Sequence, residues 1–480
     1  MPPSPYDPAL AAAAHAAREW LDGLDRRPVG PRRDAHAMLA AFDGPLPEHG
    51  EDAAEVVRDL AARAEPGLMA TGSGRFHGWV IGGAMPAPIA ADWLVSAWDQ
   101  NCAMAEPFPA TTMIEQVAAG WVLELLDLPR AASVGFVTGG QTANTVCLAA
   151  ARGRVLDHHG WDVERDGLQG APRVHVVVGA QRHDTVDVAL RLLGLGGATA
   201  HVVAADDAGR MRPDALAATL ARLDGPVVVC AQAGNVNGGG IDPLDAIADA
   251  LDAHGRDGAW LHVDGAFGLW ARAAPARRTL VAGAERADSW ATDAHKWLNT
   301  PYDCGLAICA DVAAHRRAMG VRAAYLPDGD DGGLRDPVDV TPELSRRARG
   351  VPVYAAIRQL GRTGVAEVVE RCCAMAERYA ERLGAADGVT VLGCRLNQVV
   401  VALRDPGDRD DDAHTRRVLA AVQAGGTAFP SGTVWRGVAG IRISVSNWRT
   451  GPDDVDRTVA EVLAAHRGVA QADLQRSSHS

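Results

Sequence analysis

Lys296 is the only lysine in a chain of 480 residues; every other basic Lys or Arg position is an arginine. Arginine serves any generic cationic purpose, but it cannot shed its proton near neutral pH and condense with an aldehyde. Lysine can, once its ammonium is desolvated or set among other positive charge. Lys296 stands in the run Asp293-Ala294-His295-Lys296-Trp297. Upstream, Trp260-Leu261-His262-Val263-Asp264 reads as a buried strand ending in a carboxylate, followed by Gly265-Ala266. A carboxylate alone at a strand tip is as often a helix cap or a metal ligand. Paired with a lysine at a second tip, it suggests a division of labour. The lysine would hold an aldehyde cofactor as an imine, and the aspartate would keep a pyridine nitrogen protonated so that the ring accepts electrons. Ala266 is small enough to let such a ring lie close to the backbone.

An anion site and a flat face complete the set. Val137-Thr138-Gly139-Gly140-Gln141-Thr142-Ala143-Asn144 reads as strand, glycine turn and helix start with small polar side chains in the first turn. Free N–H groups and the helix dipole make that arrangement a phosphate cradle. His183, in Arg182-His183-Asp184-Thr185, follows another strand and is either a helix cap or an imidazole stacked on a planar ring.

The elements that must position these residues alternate. Strand candidates are 133–138, 174–179, 199–204, 226–231, 260–264, 289–292 and 305–309, with amphipathic segments 142–152, 184–193, 212–223 and 243–254 between them. This repetition predicts an α/β fold with a mostly parallel sheet, helices on both faces and ligands at the carboxyl ends of the strands. Residues 1–70 read as a helical arm, 71–350 as the large domain and 351–480 as a smaller α+β domain. The last opens on a long helix at 353–383 and has strands near 389–392, 398–403 and 441–445, with helices at 415–423 and 452–466. The Asp- and Gly-rich stretch 328–339 reads as a mobile loop between the two domains.

With 48% hydrophobic and 22% charged residues this is an ordinary globular composition. A net charge of -13 argues against nucleic acid and anionic membrane as partners. No signal-peptide pattern opens the chain and no apolar run reaches the roughly 20 residues of a membrane span. The eight cysteines show neither Cys-x-x-Cys nor zinc spacing, so no metal is expected and free buried thiols in the cytoplasm are.

Gly139-Gly140-Gln141-Thr142-Ala143-Asn144, His183, Gly234-Asn235-Val236-Asn237, His262-Val263-Asp264-Gly265-Ala266 and Asp293-Ala294-His295-Lys296-Trp297 together resemble the group II amino-acid decarboxylases. These pyridoxal-phosphate enzymes of the aspartate-aminotransferase fold (fold type I) include the aromatic-L-amino-acid, glutamate and histidine decarboxylases. The likeness extends over roughly residues 70 to 465. It implies a seven-stranded large-domain sheet, pyridoxal 5'-phosphate as cofactor and a homodimer with a shared active site. It further implies that Lys296 binds the cofactor aldehyde, Asp264 pairs with the pyridinium nitrogen, His183 stacks on the ring and Ala266 touches its face. Gly140, Gln141, Thr142, Asp293 and His295 would surround the phosphate, although the family commonly has an amide at the Asp293 position. Asn235 or Asn237 would contact the cofactor oxygen or the substrate carboxylate. Phe76 and His77, in the segment Gly74–Trp79, would line the substrate pocket, residues 99–105 would reach a neighbouring site, and Arg442 would hold a substrate carboxylate or make a structural ion pair.

One departure concerns the outcome of the reaction. The animal and plant decarboxylases carry a proton-donating tyrosine on a mobile loop, whereas residues 326–344 here contain none, and Tyr325 stands just before them. The expected reaction is decarboxylation of an L-amino acid to the amine. Aminotransferase, carbon–carbon lyase and decarboxylation-coupled oxidative deamination are the rivals within the fold, and a non-enzymatic relative is the rival outside it.

Overall fold

The computed structural model describes residues 4–321, 334–407 and 410–477. The seven expected strands all form: β2 Ser133–Val137, β3 His175–Gly179, β4 His201–Val203, β5 Val227–Gln232, β6 Ala259–Asp264, β7 Ser289–Asp293 and β8 Gly305–Cys309, with β1 the short strand Phe76–His77 that precedes them. They make one sheet in the order β2-β8-β7-β6-β5-β3-β4. Neighbours from β7 to β4 run parallel, while β8 is antiparallel to both β2 and β7. Strands β5 to β8 are buried along nearly their whole length, which is why they read as continuous β-branched and apolar runs rather than alternating ones.

The sheet divides the core in two. On one face the helix Gly140–His158 lies across the strands through Ala143, Val146, Cys147 and Ala150. On the other, apolar side chains of Leu244–Gly255, Pro109–Leu125 and the long helix Gly350–Gly384 pack against Val229, Leu261, Val263 and Trp290.

The C-terminal part has strands β9 Val389–Arg395, β10 Gln398–Leu403, β11 Phe429–Trp435 and β12 Val438–Ser444. With β1 they form a five-stranded sheet ordered β1-β11-β12-β10-β9. β1 pairs parallel with β11, Phe76 opposite Phe429 and His77 opposite Pro430, so the small sheet is completed by a piece of chain from far upstream. The anchor behind it is Arg75, which is 2% exposed and donates to backbone oxygens of Asp25 and Thr427.

All eight cysteines are free, and Cys394 departs from expectation in being exposed. No helix among the described residues is long and apolar enough to cross a membrane. The expected loop 328–339 lies partly outside the described residues, as does Tyr325. Its described end is fastened: the Ala105 N–H donates to Asp336 Oδ1 at 2.6 Å, and Arg335 donates to Ala132 O at 3.1 Å.

Candidate active site

β7 delivers the lysine. The turn after Asp293 is held from two sides: Ala294 N–H donates to Cys304 O at 3.0 Å, and Gly82 N–H donates to His295 O at 3.2 Å. Gly82 must be glycine, because a Cβ there would lie 2.1 Å from Lys296 O. Lys296 Nζ sits 2.8 Å from Asp293 Oδ2, the carboxylate being 2% and the amine 19% exposed. His295 Nδ1 accepts from the Cys304 N–H at 3.2 Å, which puts the ring hydrogen on Nε2, 3.6 Å from Asp293 Oδ1. Burial pushes the His295 pKa below its ordinary value, with Asp293 opposing that shift and Lys296 adding to it.

Asp264 ends β6, next to β7, and is 4% exposed. Its Oδ2 accepts from Asn144 Nδ2 at 3.3 Å and its Oδ1 from the Ala266 N–H at 3.2 Å. Ala266 in turn accepts the Asp293 N–H through its carbonyl at 2.9 Å, tying the carboxylate tip to the lysine tip. His183 caps the helix Asp184–Leu192, as the simpler reading of its sequence anticipates. It also lines, with Asp264, Val186 and Cys230, a narrow cleft between the tips of β3 and β5. The cap and the exposed ring face are compatible, since only Nδ1 is used, by Thr185.

The glycine turn opens the helix Gly140–His158, whose start has no side-chain cap, so its first N–H groups are free. A Cβ on Gly140 would meet Asp293 Oδ2 at 2.9 Å and one on Gly139 would meet His295 Cε1 at 3.4 Å. Both glycines keep space between the helix start and the lysine turn. Into that space projects Asp293 Oδ1, buried and without a hydrogen-bond partner. Thr142 Oγ1 meets Thr138 Oγ1 at 2.8 Å, and Gln141 is exposed.

On the substrate side the structure rearranges the expectation. Phe76 is 1% exposed and stacks on Phe429 at 6.1 Å. His77 is 0% exposed, its Nε2 is 2.8 Å from Tyr379 Oη, and burial pushes its pKa down to about 3. Neither offers surface to a ligand, because pairing of β1 with β11 closes this segment into the small sheet. Trp79, just beyond the strand, is the exposed aromatic. Its N–H donates to Ser431 Oγ at 3.2 Å, and Ser431 lies opposite Arg442 across β11 and β12, so the Arg442 side chain shares that face. Arg442 is 8% exposed, its Nε has no hydrogen-bond partner, and no carboxylate among the described residues pairs with it. Asn235 ties its loop to the turn after β3, donating to Gln181 O at 3.1 Å, and accepts from the Asn237 N–H of its own loop at 2.8 Å. Tyr302, whose ring stacks on His295 at 4.2 Å, stands beside the lysine turn without having been singled out as a site residue. The sequence signal for it is its position shortly after Lys296.

The family model for the pyridoxal-dependent decarboxylase conserved domain matches residues 35–401. The chain belongs to this family. It is 30% identical over 430 residues to the L-2,4-diaminobutyrate decarboxylase of Rhizobium meliloti (strain 1021), covering 86% of this chain and 82% of that one. Tryptophan decarboxylase 1 of Oryza sativa subsp. japonica is 28% identical over 89% of this chain and 87% of its own. The 4-hydroxyphenylacetaldehyde synthase of Rhodiola rosea is 25% identical over 91% and 90%. The solved Oryza sativa TDC with PLP and tryptamine superposes with a TM-score of 0.88 at 23% identity, covering 96% of this chain and 97% of that one, which establishes the shared fold.

The residues of this decarboxylase fit pyridoxal 5'-phosphate. There is an amine for its aldehyde, an acceptor for its ring N–H, an imidazole for its face and an uncapped helix start for its phosphate. Asp293 is the one member a phosphate dianion would oppose; its Oδ2 is paired with Lys296, while its Oδ1 has no hydrogen-bond partner.

Proposed function

We propose that this decarboxylase removes the α-carboxylate of an L-amino acid as carbon dioxide and releases the amine, working as a cytoplasmic homodimer. The observation that carries the reading is that Asp264 ends β6 and Lys296 follows the tip of the adjacent strand β7, beside an uncapped helix start, and that Asp264 shares a cleft with His183. When bound, pyridoxal phosphate supplies the electron sink for the pair left by the departing carboxylate. Lys296 would hold the cofactor through its single amine, and Asp264 would keep a proton on the ring nitrogen. His183 would lie on the ring face, and Gly140, Gln141 and Thr142 would face the phosphate. Arg442, pushed below its ordinary pKa by burial with no carboxylate to offset that cost, is suited to receive the substrate carboxylate. The carbon that loses carbon dioxide must gain one proton, and the loop 326–344 has no tyrosine to give it.

The test is a screen of L-amino acids with amine, carbon dioxide, aldehyde and ammonia all measured, under air and under nitrogen. Under nitrogen, amine and carbon dioxide in equal amounts are expected. General-acid help is worth roughly 10²–10⁴-fold, so turnover should be slow, with some aldehyde and ammonia formed under air and suppressed under nitrogen. Keto acid without carbon dioxide would make the enzyme an aminotransferase and overturn the reading.

Unburied apolar surface supports the dimer. The helices Asp7–Asp22 and Ala35–Phe42 bury no residue completely on a single chain. Leu39, Leu60, Trp93 and Trp98 are 67%, 56%, 45% and 44% exposed. A second copy of the chain would cover such a face by two-fold symmetry. Deleting residues 1–60 is expected to yield insoluble or inactive protein. Sedimentation of a soluble, active monomer after that deletion would refute the dimer.

A further inference from the structure

Behind Asp264 the core holds a line of polar side chains in otherwise apolar surroundings: Asn144, His262, Ser289 and Trp260, each no more than 2% exposed. Trp260 Nε1–H donates to Ser289 Oγ at 2.8 Å. Ser289 Oγ lies 2.9 Å from His262 Nδ1, and His262 Nε2 lies 2.8 Å from Asn144 Oδ1. Asn144 Nδ2 then donates to Asp264 Oδ2 at 3.3 Å and to Thr185 Oγ1 at 3.2 Å. Thr185 Oγ1 is 2.9 Å from His183 Nδ1. The line therefore forks at Asn144, with one branch ending on Asp264 and the other on His183.

Its polarity is fixed by its ends. An indole N–H only donates and a carboxylate only accepts. The Asn144 amide nitrogen must therefore face Asp264, and its oxygen must face His262, whose Nε2 carries the hydrogen. On the other branch the Thr185 backbone N–H donates to His183 Nδ1 at 3.3 Å, so that nitrogen is an acceptor and the ring hydrogen sits on Nε2. The Thr185 hydroxyl accepts from Asn144 and gives its own hydrogen to His183. Both hydrogens and the oxygen of the Asn144 amide are thereby committed. Rotating that amide would set its oxygen against Asp264 and its N–H groups against the His262 N–H.

We propose that Asn144 is a positioning residue that aims Asp264 and His183 together, and that His262, anchored through Ser289 and Trp260, holds its amide against rotation. The proposal rests on the decarboxylase reading only for the identity of what Asp264 and His183 face. A buried chain that merely stabilised the fold would tolerate any replacement keeping the melting temperature. A directional one distinguishes His262→Gln, whose amide N–H can still donate to Asn144 Oδ1, from His262→Leu, which cannot donate.

Two measurements test it. In protein labelled with ¹⁵N-asparagine, the side-chain amide signal that disappears in Asn144→Asp identifies Asn144. That signal should be protected from hydrogen exchange in the parent chain and in His262→Gln, and exchange about tenfold faster or more in His262→Leu, as expected for a buried hydrogen bond lost. In the holoenzyme, His262→Leu should lower kcat by about tenfold or more with KM changed by less than about twofold, and His262→Gln should recover most of the loss. If His262→Leu does not fold, Ser289→Ala loosens the same anchor and should shift the exchange in the same direction. Equal losses in His262→Leu and His262→Gln at matching melting temperatures, or a freely exchanging Asn144 amide in the parent chain, would overturn the proposal. The exchange measurement stands whatever reaction the enzyme catalyses, so its failure is separable from failure of the decarboxylase reading.

Discussion

Lys296→Ala protein is expected to lose the visible absorbance that a lysine-bound pyridoxal phosphate gives the parent enzyme, and with it turnover. Nearly all turnover is expected to go with it, because no other side chain of this chain offers an amine to hold the aldehyde. Most proteins of this size have other lysines that confuse such an experiment. Here there are none. Borohydride reduction of the parent enzyme should therefore label a single peptide, the one containing Trp297, and label nothing in the variant. Lys296→Arg should behave the same way while keeping a cation beside Asp293, which separates loss of the amine from loss of the 2.8 Å ion pair. A variant that kept the parent absorbance band would sink the assignment of Lys296.

Asp264→Asn should bind the cofactor and still turn over very slowly. Asp264 takes a hydrogen bond on each oxygen, from Asn144 and from the Ala266 N–H. An amide has one acceptor oxygen, so one of these donors loses its partner and the neutral group no longer favours a protonated ring nitrogen. Breaking a buried charge pair of this kind costs about 3–5 kcal/mol, or roughly 10²–10⁴-fold in rate when the pair is strongest as the carboxylate leaves. Cofactor retention by absorbance together with kcat checks it. Near-parent activity would reduce Asp264 to a residue that shapes the turn after β6.

The large sheet was legible because its strands are buried on both faces. Runs such as Val227-Val228-Val229 leave a strand as the natural reading, and all seven strands form with ends within a few residues of the pattern. The helices Pro86–Trp98 and Pro109–Leu125 are harder to read. Apolar side chains occur around much of their circumference, so no clean stripe marks them, and each is announced only by a proline in its first turn. β1 has no local signal: two residues become a strand only because β11 lies beside them. That same pairing buries Phe76 and His77, the two residues expected to line the substrate pocket, in the small sheet. The site shows the same division. Lys296, Asp264 and the glycine turn announce themselves by residue type at strand tips. The partnership of Asn144 with His262 does not, since a polar residue inside an apolar helix and another inside an apolar strand gain meaning only when the helix is laid across the sheet.

β1 also sets an order of events at the ribosome. The contact from Arg75 to Thr427 joins positions 352 residues apart. At synthesis rates of roughly 5–20 residues per second, the segment around Phe76 emerges about 20–70 s before its partner strand exists. During that interval Phe76 and Trp79 have no small sheet to enter, while the strands from β2 to β8 can already assemble. The nascent chain must therefore carry an adhesive aromatic segment through most of its own translation, which makes slow elongation or chaperone depletion a specific hazard to its yield.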